Sequence, residues 1–260
     1  MTDAAAKPSA DKQWFGHPRP LALLFTTEMW ERFGYYGMRA LLILYLVQHF
    51  VFADRVANGL YGAFTSLVYL TPLIGGLIAD QYFGSKKAVK FGAILMSAGY
   101  LLLAFSGGEM SKPYVMIDDA RYEVAIDRDG DDAGQYVVAG ENKYRISGNE
   151  DGSITLNGSD GSTVPANVPA ANYKFDAERN PVSVMLLFIS LGLIIVGNGL
   201  FKPNISTIVG TLYPEGDNRR DAGFTIFYMG INLGSIISQF LAPLIAVKYG
   251  YQWGFALAGF

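Results

Sequence analysis

The sequence contains no cysteine and only two histidines among its 260 residues, and these absences remove several kinds of site. Without cysteine the chain has no disulfide framework, no Cys-ligated zinc centre and no thiol nucleophile. Two histidines leave little room for a histidine-rich metal site. Charged residues are also few, at 17%, against roughly 25% in an average soluble domain. With 51% hydrophobic residues, this composition excludes both an ordinary soluble globule and a disordered chain.

The few charges are distributed unevenly along the chain. The segment from Glu109 to Asn180 holds 7 Lys and Arg against 14 Asp and Glu, so its net charge is −7. The rest holds 13 basic and 9 acidic residues, so its net charge is +4. The acidity therefore belongs to one polar insertion. The chain has no basic stripe of the kind that indicates nucleic-acid binding.

The apolar remainder divides into segments long enough to cross a bilayer, which takes about 20 apolar residues in a helix. Six segments meet or begin to meet this length, at about 21–50, 58–78, 88–105, 182–212, 222–247 and from 251 to the last residue, 260. We therefore expect an all-α polytopic membrane protein whose sixth helix is truncated. The expected divisions are a tail at 1–20, helices 1–3 at 21–106, an insertion at 107–181 and helices 4–6 at 182–260.

The positions of lysine and arginine predict the orientation of these helices. Three basic segments would share one side if six helices alternate: Lys7, Lys12 and Arg19; Lys86, Lys87 and Lys90; Arg219 and Arg220. Because cytoplasmic loops carry the excess of basic residues, this side is expected to be cytoplasmic. The prediction is a multi-pass protein of the cytoplasmic (inner) membrane with a cytoplasmic N-terminus and the acidic insertion outside.

The insertion has short alternating runs separated by Asp-Gly and Asn-Gly turns, a pattern typical of β-hairpins. We expect a small extracellular β-hairpin insertion between helices 3 and 4. Asp127, Asp129 and Asp131 have the spacing of a calcium loop. An EF-hand loop needs glycine at the next position and glutamate at the twelfth, where Asp132 and Val138 stand. A solvated acidic turn is the favoured interpretation, and no metal site is expected.

Helix 1 carries four charges inside an otherwise apolar span. Glu28, Arg32, Tyr35 and Arg39 are spaced i, i+4, i+7 and i+11, which places them in one narrow stripe of a helix. Each charge would cost a few kcal/mol at the bilayer centre. The stripe is therefore expected to face a bundle interior or a water-filled cavity. The alternative is an interfacial ion-pair cluster, with the helix entering the membrane only after Arg39.

Polar stripes also run along other predicted helices. They comprise Asn198, Lys202 and Asn204 on helix 4, Tyr228, Asn232, Ser235 and Gln239 on helix 5, and Tyr61, Thr65 and Tyr69 on helix 2. Taken singly, Lys202 can snorkel to the interface and the other stripes can serve as hydrogen bonds between helices. If they share one cavity, its carboxylates and cations favour a proton-coupled carrier of a cargo with a carboxylate. The sequence offers no nucleophile–base pair and no phosphate loop, so an enzyme is not expected.

Four motifs resemble those of the proton-coupled oligopeptide transporter family, part of the major facilitator superfamily. They are Glu28-x-x-Glu31-Arg32, Gly75-Gly76-x-x-x-Asp80-x-x-x-Gly84, Gly197-Asn-Gly-Leu-Phe-Lys202-Pro203-Asn204 and the run from Phe224 to Gly234. Together they cover the chain from about Leu21 onward except for the insertion. The resemblance implies the six-helix N-terminal bundle of a major-facilitator fold.

The resemblance also implies a function and a role for each matching residue. The function is symport of protons with di- and tripeptides by alternating access, without a cofactor. Glu28, Glu31 and Arg32 would couple the proton, with Glu28 able to pair with Lys202. Arg39 and Lys202 would hold the peptide carboxylate, and the pocket would be lined by Tyr35, Tyr36, Tyr69 and Asn232.

This sequence departs from the family pattern in two respects. The family has at least twelve helices in two six-helix halves, so a C-terminal half is expected as the missing partner, and the chain is either a fragment or one of two paired halves. The β insertion is not part of the family's core pattern. Two other functions stay open: transport of another anionic molecule, and a membrane anchor that presents the insertion to a partner.

Overall fold

The computed structural model describes residues 13–108, 110–127, 134–159 and 164–259. Residues 1–12 of the predicted tail, Asp129 and Asp131 of the considered calcium loop, and residue 260 of the sixth helix lie outside the described residues. The chain forms two compact units. The first takes Met1–Leu44, Asn58–Gly107 and Val182–Phe260, and the second takes Tyr45–Ala57 and Gly108–Pro181.

The first unit is helical. Its helices are α1 (Pro20–Leu44), α2 (Asp54–Ile78), α3 (Ser85–Phe105), α4 (Pro181–Thr211), α5 (Arg220–Tyr249) and α6 (Tyr251–Gly259). Prolines occupy the first position of α1 and α4, where the missing N–H costs no helical hydrogen bond. Gly84 and Gly250, with φ of 72° and 99°, end the second and fifth helical segments in a conformation that favours glycine. Short π-helical turns extend α1 (Tyr45–His49) and α2 (Ala79–Phe83).

Four helical stretches are long and apolar enough to cross a membrane: Asp54–Tyr82, Ser85–Phe105, Pro181–Thr211 and Arg220–Tyr249. The expectation of a polytopic membrane protein is therefore supported by length and composition. The α1 helix has 25 residues, but Glu28, Glu31 and Arg32 lie near its centre and lower its hydropathy. The α6 helix has nine described residues. The count of six spans stays a prediction.

Glycines allow the helices of this unit to approach closely. A Cβ added to Gly75 on α2 would overlap the carbonyl oxygen of Gly199 on α4. A Cβ on Gly92 of α3 would lie 2.6 Å from the carbonyl oxygen of Gly197. Helices α1 and α5 also pack against each other, with Gly37 beside Ala242. Such contacts between small residues are the usual way in which helices pack in membranes, where apolar burial gives little drive for association.

A short hairpin precedes α1, formed by β1 (Gln13–Trp14) and β2 (His17–Pro18). The ring nitrogen Nδ1 of His17 is 2.9 Å from the hydroxyl of Tyr213, and Arg219 donates a hydrogen bond to the carbonyl of Gly16. The side chain of Arg219 also lowers the pKa of Asp217 to about 2 by donating hydrogen bonds to it, and its backbone N–H adds to the effect. The ionised Asp217 holds the guanidinium that fixes the hairpin to the connection between α4 and α5.

The insertion corrects one prediction, because it forms a seven-stranded antiparallel sheet and not a small hairpin. Its strands are β3 (Lys112–Ile117), β4 (Ala120–Asp127), β5 (Gly134–Ala139), β6 (Asn142–Gly148), β7 (Ile154–Asn157), β8 (Asn167–Val168) and β9 (Tyr173–Glu178). The order is β8-β7-β6-β5-β4-β3-β9. Glycines of the expected Asp-Gly and Asn-Gly turns have positive φ: Gly152, between β6 and β7, at 80° and Gly158, after β7, at 86°. The loop between β3 and β4 is instead formed by Asp118 and Asp119, both with positive φ, as a two-residue type I′ loop requires. The pairing of β3 with β9 joins residues 56 to 66 positions apart in sequence, which a local pattern does not reveal.

One face of this sheet carries the apolar core of the second unit. Val124 lies opposite Val137, which in turn lies opposite Tyr144, so these side chains share a face. The core is formed by Val115, Ile117, Val124, Val137, Tyr144, Ile154, Leu156, Val164 and Val168. The hydroxyl of Tyr173 on β9 donates to the carbonyl of Gly152, in the turn before β7. This bond joins parts of the sheet far apart in strand order, so the apolar face is concave.

Arg179 attaches the end of β9 to residues 45–57 within the second unit. Its Nε donates to the carbonyl of Phe50 at 2.8 Å and its Nη2 to that of Val51 at 2.6 Å. Its Nη1 forms an ion pair with Asp176 at 2.9 Å, and the guanidinium lies over the ring of Phe52, 4.6 Å from its centroid. The planar fork of arginine makes these contacts at once, which a lysine cannot do.

Arg179→Lys should therefore loosen residues 45–57 while leaving the sheet intact. Loss of two hydrogen bonds from a charged donor, each worth about 1.5–3 kcal/mol when well made, should increase amide hydrogen exchange at residues 50–53 at least tenfold. Arg145→Lys on β6 is the matched control and should leave this exchange unchanged. Equal exchange in Arg179→Lys and the unsubstituted protein would contradict the role of the guanidinium.

Candidate functional site

The charges of α1 form a buried cluster in the helical unit. Nε of Arg32 is 3.1 Å from Oε1 of Glu28, one turn away, and also contacts Oε2 of Glu31. The three residues are only 2%, 8% and 4% exposed, for Glu28, Glu31 and Arg32 in turn. Because helical residues four apart lie on the same face, the sequence itself brings Glu28 and Arg32 together. The cluster combines two carboxylates with one guanidinium.

Neighbouring helices complete the surroundings of this cluster. Nδ2 of Asn198 on α4 donates to Oε1 of Glu31 at 3.2 Å. Tyr100 on α3 is buried, and its hydroxyl has no hydrogen-bond partner within the described part of the chain. Glu31 and Tyr100 also border a cavity of about 460 Å³. The cluster is therefore enclosed by polar groups from α1, α3 and α4.

Two cations lie near the cluster, and each lies against an aromatic ring. Nε of Arg39 donates to the hydroxyl of Tyr61 on α2 at 2.6 Å, with its guanidinium 5.7 Å from that ring's centroid. Nζ of Lys202 lies 5.0 Å from the ring centroid of Tyr69. Both distances fall within the range of cation–π attraction, about 6 Å. The cations are half-buried, so they can reach a ligand without leaving the bundle.

The structure brings together most of the predicted site residues, but not all of them. Tyr35 and Tyr36 meet edge to face at 5.3 Å between centroids, and Arg32 lies 5.5 Å from the centre of the Tyr35 ring. Asn232 on α5 is exposed, and its backbone carbonyl accepts a hydrogen bond from Ser235. Among the described residues, no ion pair within 4.0 Å joins Glu28 to Lys202, which instead contacts Tyr69.

Comparison with known proteins identifies the family to which this chain belongs. The sequence pattern described as "POT family" matches residues 86–260, more than half of the chain. The chain belongs to the POT family. This POT-family chain is 34% identical over 254 residues to the peptide transporter YePEPT of Yersinia enterocolitica, covering 95% of this chain and 35% of that protein. It is 29% identical to dipeptide and tripeptide permease A of Escherichia coli, covering 99% of this chain and 37% of the permease.

Solved structures agree with this assignment. A crystal structure of the peptide transporter POT in complex with sulfate matches with a TM-score of 0.63 and 32% identity, over 95% of this chain and 36% of that chain. A POT family transporter solved with 5-aminolevulinic acid matches with a TM-score of 0.61 and 31% identity. The chain thus spans little more than a third of the length of these relatives. The POT family consists of transporters and not enzymes, as expected from the sequence.

Three residues of the candidate site were absent from the predicted set: Tyr61, Tyr100 and Asn198. Tyr61 and Asn198 lie in the polar stripes of helices 2 and 4, so periodicity identified them as polar positions without giving their partners. Tyr100 had no such signal, because it lies in an apolar stretch of α3 where a tyrosine resembles a core aromatic.

In the described ranges, no group of three or more His, Asp or Glu is arranged to hold a metal ion.

Proposed function

We propose that this chain supplies the N-terminal bundle of a proton-coupled symporter that imports di- and tripeptides by alternating access. The observation that carries the proposal is the buried cluster of Glu28, Glu31 and Arg32. A buried ionised group is expensive unless it is paired, and one guanidinium balances only one of the two carboxylates. A proton bound to one carboxylate makes the cluster neutral. Uptake and release of this proton therefore change the net charge of the buried cluster, and with it the free energy of the site.

The proposed substrate site lies next to this cluster. Arg39 and Lys202 supply positive charge for the carboxylate of a short peptide, since Arg and Lys are the usual partners of carboxylates. Tyr35, Tyr36, Tyr69 and Asn232 are the proposed lining residues, able to contact the peptide backbone. The proton-coupling roles belong to Glu28, Glu31 and Arg32. The names of related proteins, which include dipeptide and tripeptide permeases, support a peptide cargo.

The proposal also covers the number of membrane spans, the orientation of the chain and its location. The described helices would form six spans of a major-facilitator bundle, with the divisions 1–20, 21–106, 107–181 and 182–260. We place the N-terminus in the cytoplasm, the insertion outside and the protein in the cytoplasmic (inner) membrane. A second six-helix half would complete the transport path, and protons would be the coupling ion without any cofactor.

Uptake of a labelled dipeptide into proteoliposomes tests the proposal. It should be measured with and without an imposed inward proton gradient, for this chain and for the full natural gene product. Gradient-dependent uptake by the longer protein is expected, and uptake by this chain as well would show that paired halves suffice. The absence of uptake by both, in protein shown to be folded, would contradict a proton–peptide symporter.

A carrier of another anion is the second candidate, because Arg39 and Lys202 would bind any carboxylate or similar anion. Competition separates the two cargo classes. For the peptide carrier, excess di- and tripeptides should suppress labelled uptake, while single amino acids and nitrate should not. The opposite pattern would assign the site to the smaller anion.

Tyr61→Phe tests how Arg39 is positioned. The change removes the hydroxyl that accepts from Nε of Arg39 but keeps the ring beneath the guanidinium. A hydrogen bond to a charged group is worth about 1.5–3 kcal/mol, so KM for a dipeptide should rise about tenfold with little change in kcat. Tyr249→Phe is the matched control, because Lys248 lies 5.3 Å from the centre of that ring. An unchanged KM in Tyr61→Phe would refute the positioning role.

A further inference from the structure

The second unit contains a cavity of about 830 Å³, bounded by the concave sheet and by residues 45–57. Its volume lies within the range of about 300–1,000 Å³ that is typical of small-molecule sites. Its wall is mainly apolar and includes Phe52, Val56, Ile126 and Phe175. The buried charged cluster of the helical unit contributes no residue to it, so the cavity is a separate feature of the chain.

The apolar face of the sheet is left open at this cavity. Phe175 pairs with Val115, and Ile126 lies two residues beyond Val124, so all four side chains share the apolar face. Val115 is fully buried, whereas Phe175 is 41% and Ile126 38% exposed. Val56, on the facing wall, is 48% exposed. Apolar side chains gathered around a concave space and left open to solvent are typical of a binding site.

The wall opposite the sheet is held in a fixed and costly conformation. Val51 has a φ of 52°, an unfavourable value for a β-branched residue. Arg179 holds this backbone by donating to the carbonyls of Phe50 and Val51. Strained residues of this kind persist where the surroundings fix them, and they are concentrated at ligand-binding loops. A fixed wall also reduces the entropy lost when a ligand binds.

The rim of the cavity carries an exposed lysine. Oδ1 of Asp176 accepts hydrogen bonds from Arg179 and from the backbone of Ala177, so these two charges are committed to each other. Lys174 also lines the cavity and is exposed. Within the described ranges its ammonium forms no ion pair within 4.0 Å, although its charge contributes, after the hydrogen bonds from Ala177 and Arg179, to the lowered pKa of Asp176. An apolar ligand with a carboxylate would match this combination of wall and rim.

The edge of the sheet beside the cavity has the chemistry that recognises a peptide. Strand β9 ends the strand order and, in the described part of the chain, pairs only with β3. The N–H and C=O of Ala177 bond to the side chains of Asp176 and Arg179, so they point away from β3. Because backbone direction alternates along a strand, the N–H and C=O of Phe175 point to the same open edge. A peptide backbone can pair with such an edge.

We propose that this cavity binds short peptides that have a bulky apolar side chain and a free C-terminal carboxylate. The side chain enters the cavity beside Phe175 and Ile126, the backbone pairs with the edge of β9 at Phe175, and the carboxylate meets Lys174. The insertion thereby holds peptides on its own surface. The identification of this ligand with the transported cargo rests on the proposed function, whereas the binding site itself does not.

Calorimetric titration with the tripeptide Ala-Phe-Ala tests the site on the full chain carrying Arg39→Ala and Lys202→Ala, which removes the proposed transport site. Saturable binding is expected to remain in this background. Phe175→Asp should weaken it at least tenfold, and Ala-Ala-Ala should bind at least tenfold more weakly than Ala-Phe-Ala. Lys174→Ala should weaken binding about fivefold, as should amidation of the peptide. The losses of affinity caused by Lys174→Ala and by amidation should not add, because both changes remove the same contact between the ammonium and the carboxylate.

Lys143→Ala is the matched control, since Lys143 is an exposed lysine of the same sheet that does not line this cavity. It should leave the affinity unchanged. Absence of binding in the background chain, or an equal affinity for the free and amidated peptides, would overturn the proposal. Peptide uptake by the unsubstituted protein without binding in the background chain would refute this site alone. Binding in the background chain without any uptake by the unsubstituted protein would refute the symporter alone.

Discussion

Glu31→Gln should abolish proton-driven accumulation of peptide in proteoliposomes while the protein still inserts and folds. Glutamine has nearly the same shape as glutamate, and its amide oxygen can still accept the hydrogen bond from Asn198. The change leaves Glu28 paired with Arg32, a combination that is neutral without a bound proton. Binding a proton would then no longer neutralise a buried charge in the cluster. The proton gradient therefore cannot drive the transport cycle.

The measurement is the ratio of internal to external labelled dipeptide under an imposed inward proton gradient. The ratio should fall to about one in Glu31→Gln, while exchange of peptide between the two sides without a gradient should persist. Glu150→Gln is the matched control, because Glu150 is an exposed glutamate in a turn of the insertion. Accumulation at the native level in Glu31→Gln would show that this carboxylate does not carry the coupling proton.

The sequence predicted the parts of the site that depend on a single helix. Glu28 and Arg32 are one turn apart, and the geometry of an α-helix is enough to bring them together. The contacts of Asn198 with Glu31 and of Tyr61 with Arg39 depend on how one helix is rotated against another. Helix rotation is set by packing contacts such as that between Gly75 and Gly199, and one sequence does not reveal which small residues meet.

The insertion shows the same limit on a larger scale. Turns such as those at Gly152 and Gly158 were predictable, because Asp-Gly and Asn-Gly pairs favour the backbone that a tight turn needs. The strand order was not, since it depends on the pairing of β3 with β9, which places Lys112 opposite Glu178. Strand β9 alternates strictly between apolar and polar residues, whereas β3 does not, and alternation within a strand does not show which strand it pairs with. The cavity beside Phe175 exists only once that pairing has formed, so sequence patterns gave no sign of it.

Arg32→Met should destabilise the helical unit more than any other single change in the site. It leaves Glu28 and Glu31 buried side by side, both almost inaccessible to solvent, without the guanidinium that now contacts both. Removing one partner of a buried ion pair costs about 3–5 kcal/mol, against a total stability of about 5–15 kcal/mol for a typical protein. Thermal unfolding in detergent, followed by tryptophan fluorescence, should show a large fall in Tm or no folded protein at all.

The combined variant Glu28→Gln, Glu31→Gln and Arg32→Met separates the effect of charge from the effect of shape. It keeps the same methionine but removes both carboxylate charges, so no buried charge is left without its partner, which is the main cost in Arg32→Met. Its Tm should therefore lie much closer to that of the native protein than the Tm of Arg32→Met does, while proton-driven uptake should stay absent. A combined variant as unstable as Arg32→Met would attribute the loss to the packing of the arginine stem. Recovery of stability without recovery of transport would show that the charges of this cluster are kept for coupling and not for the fold.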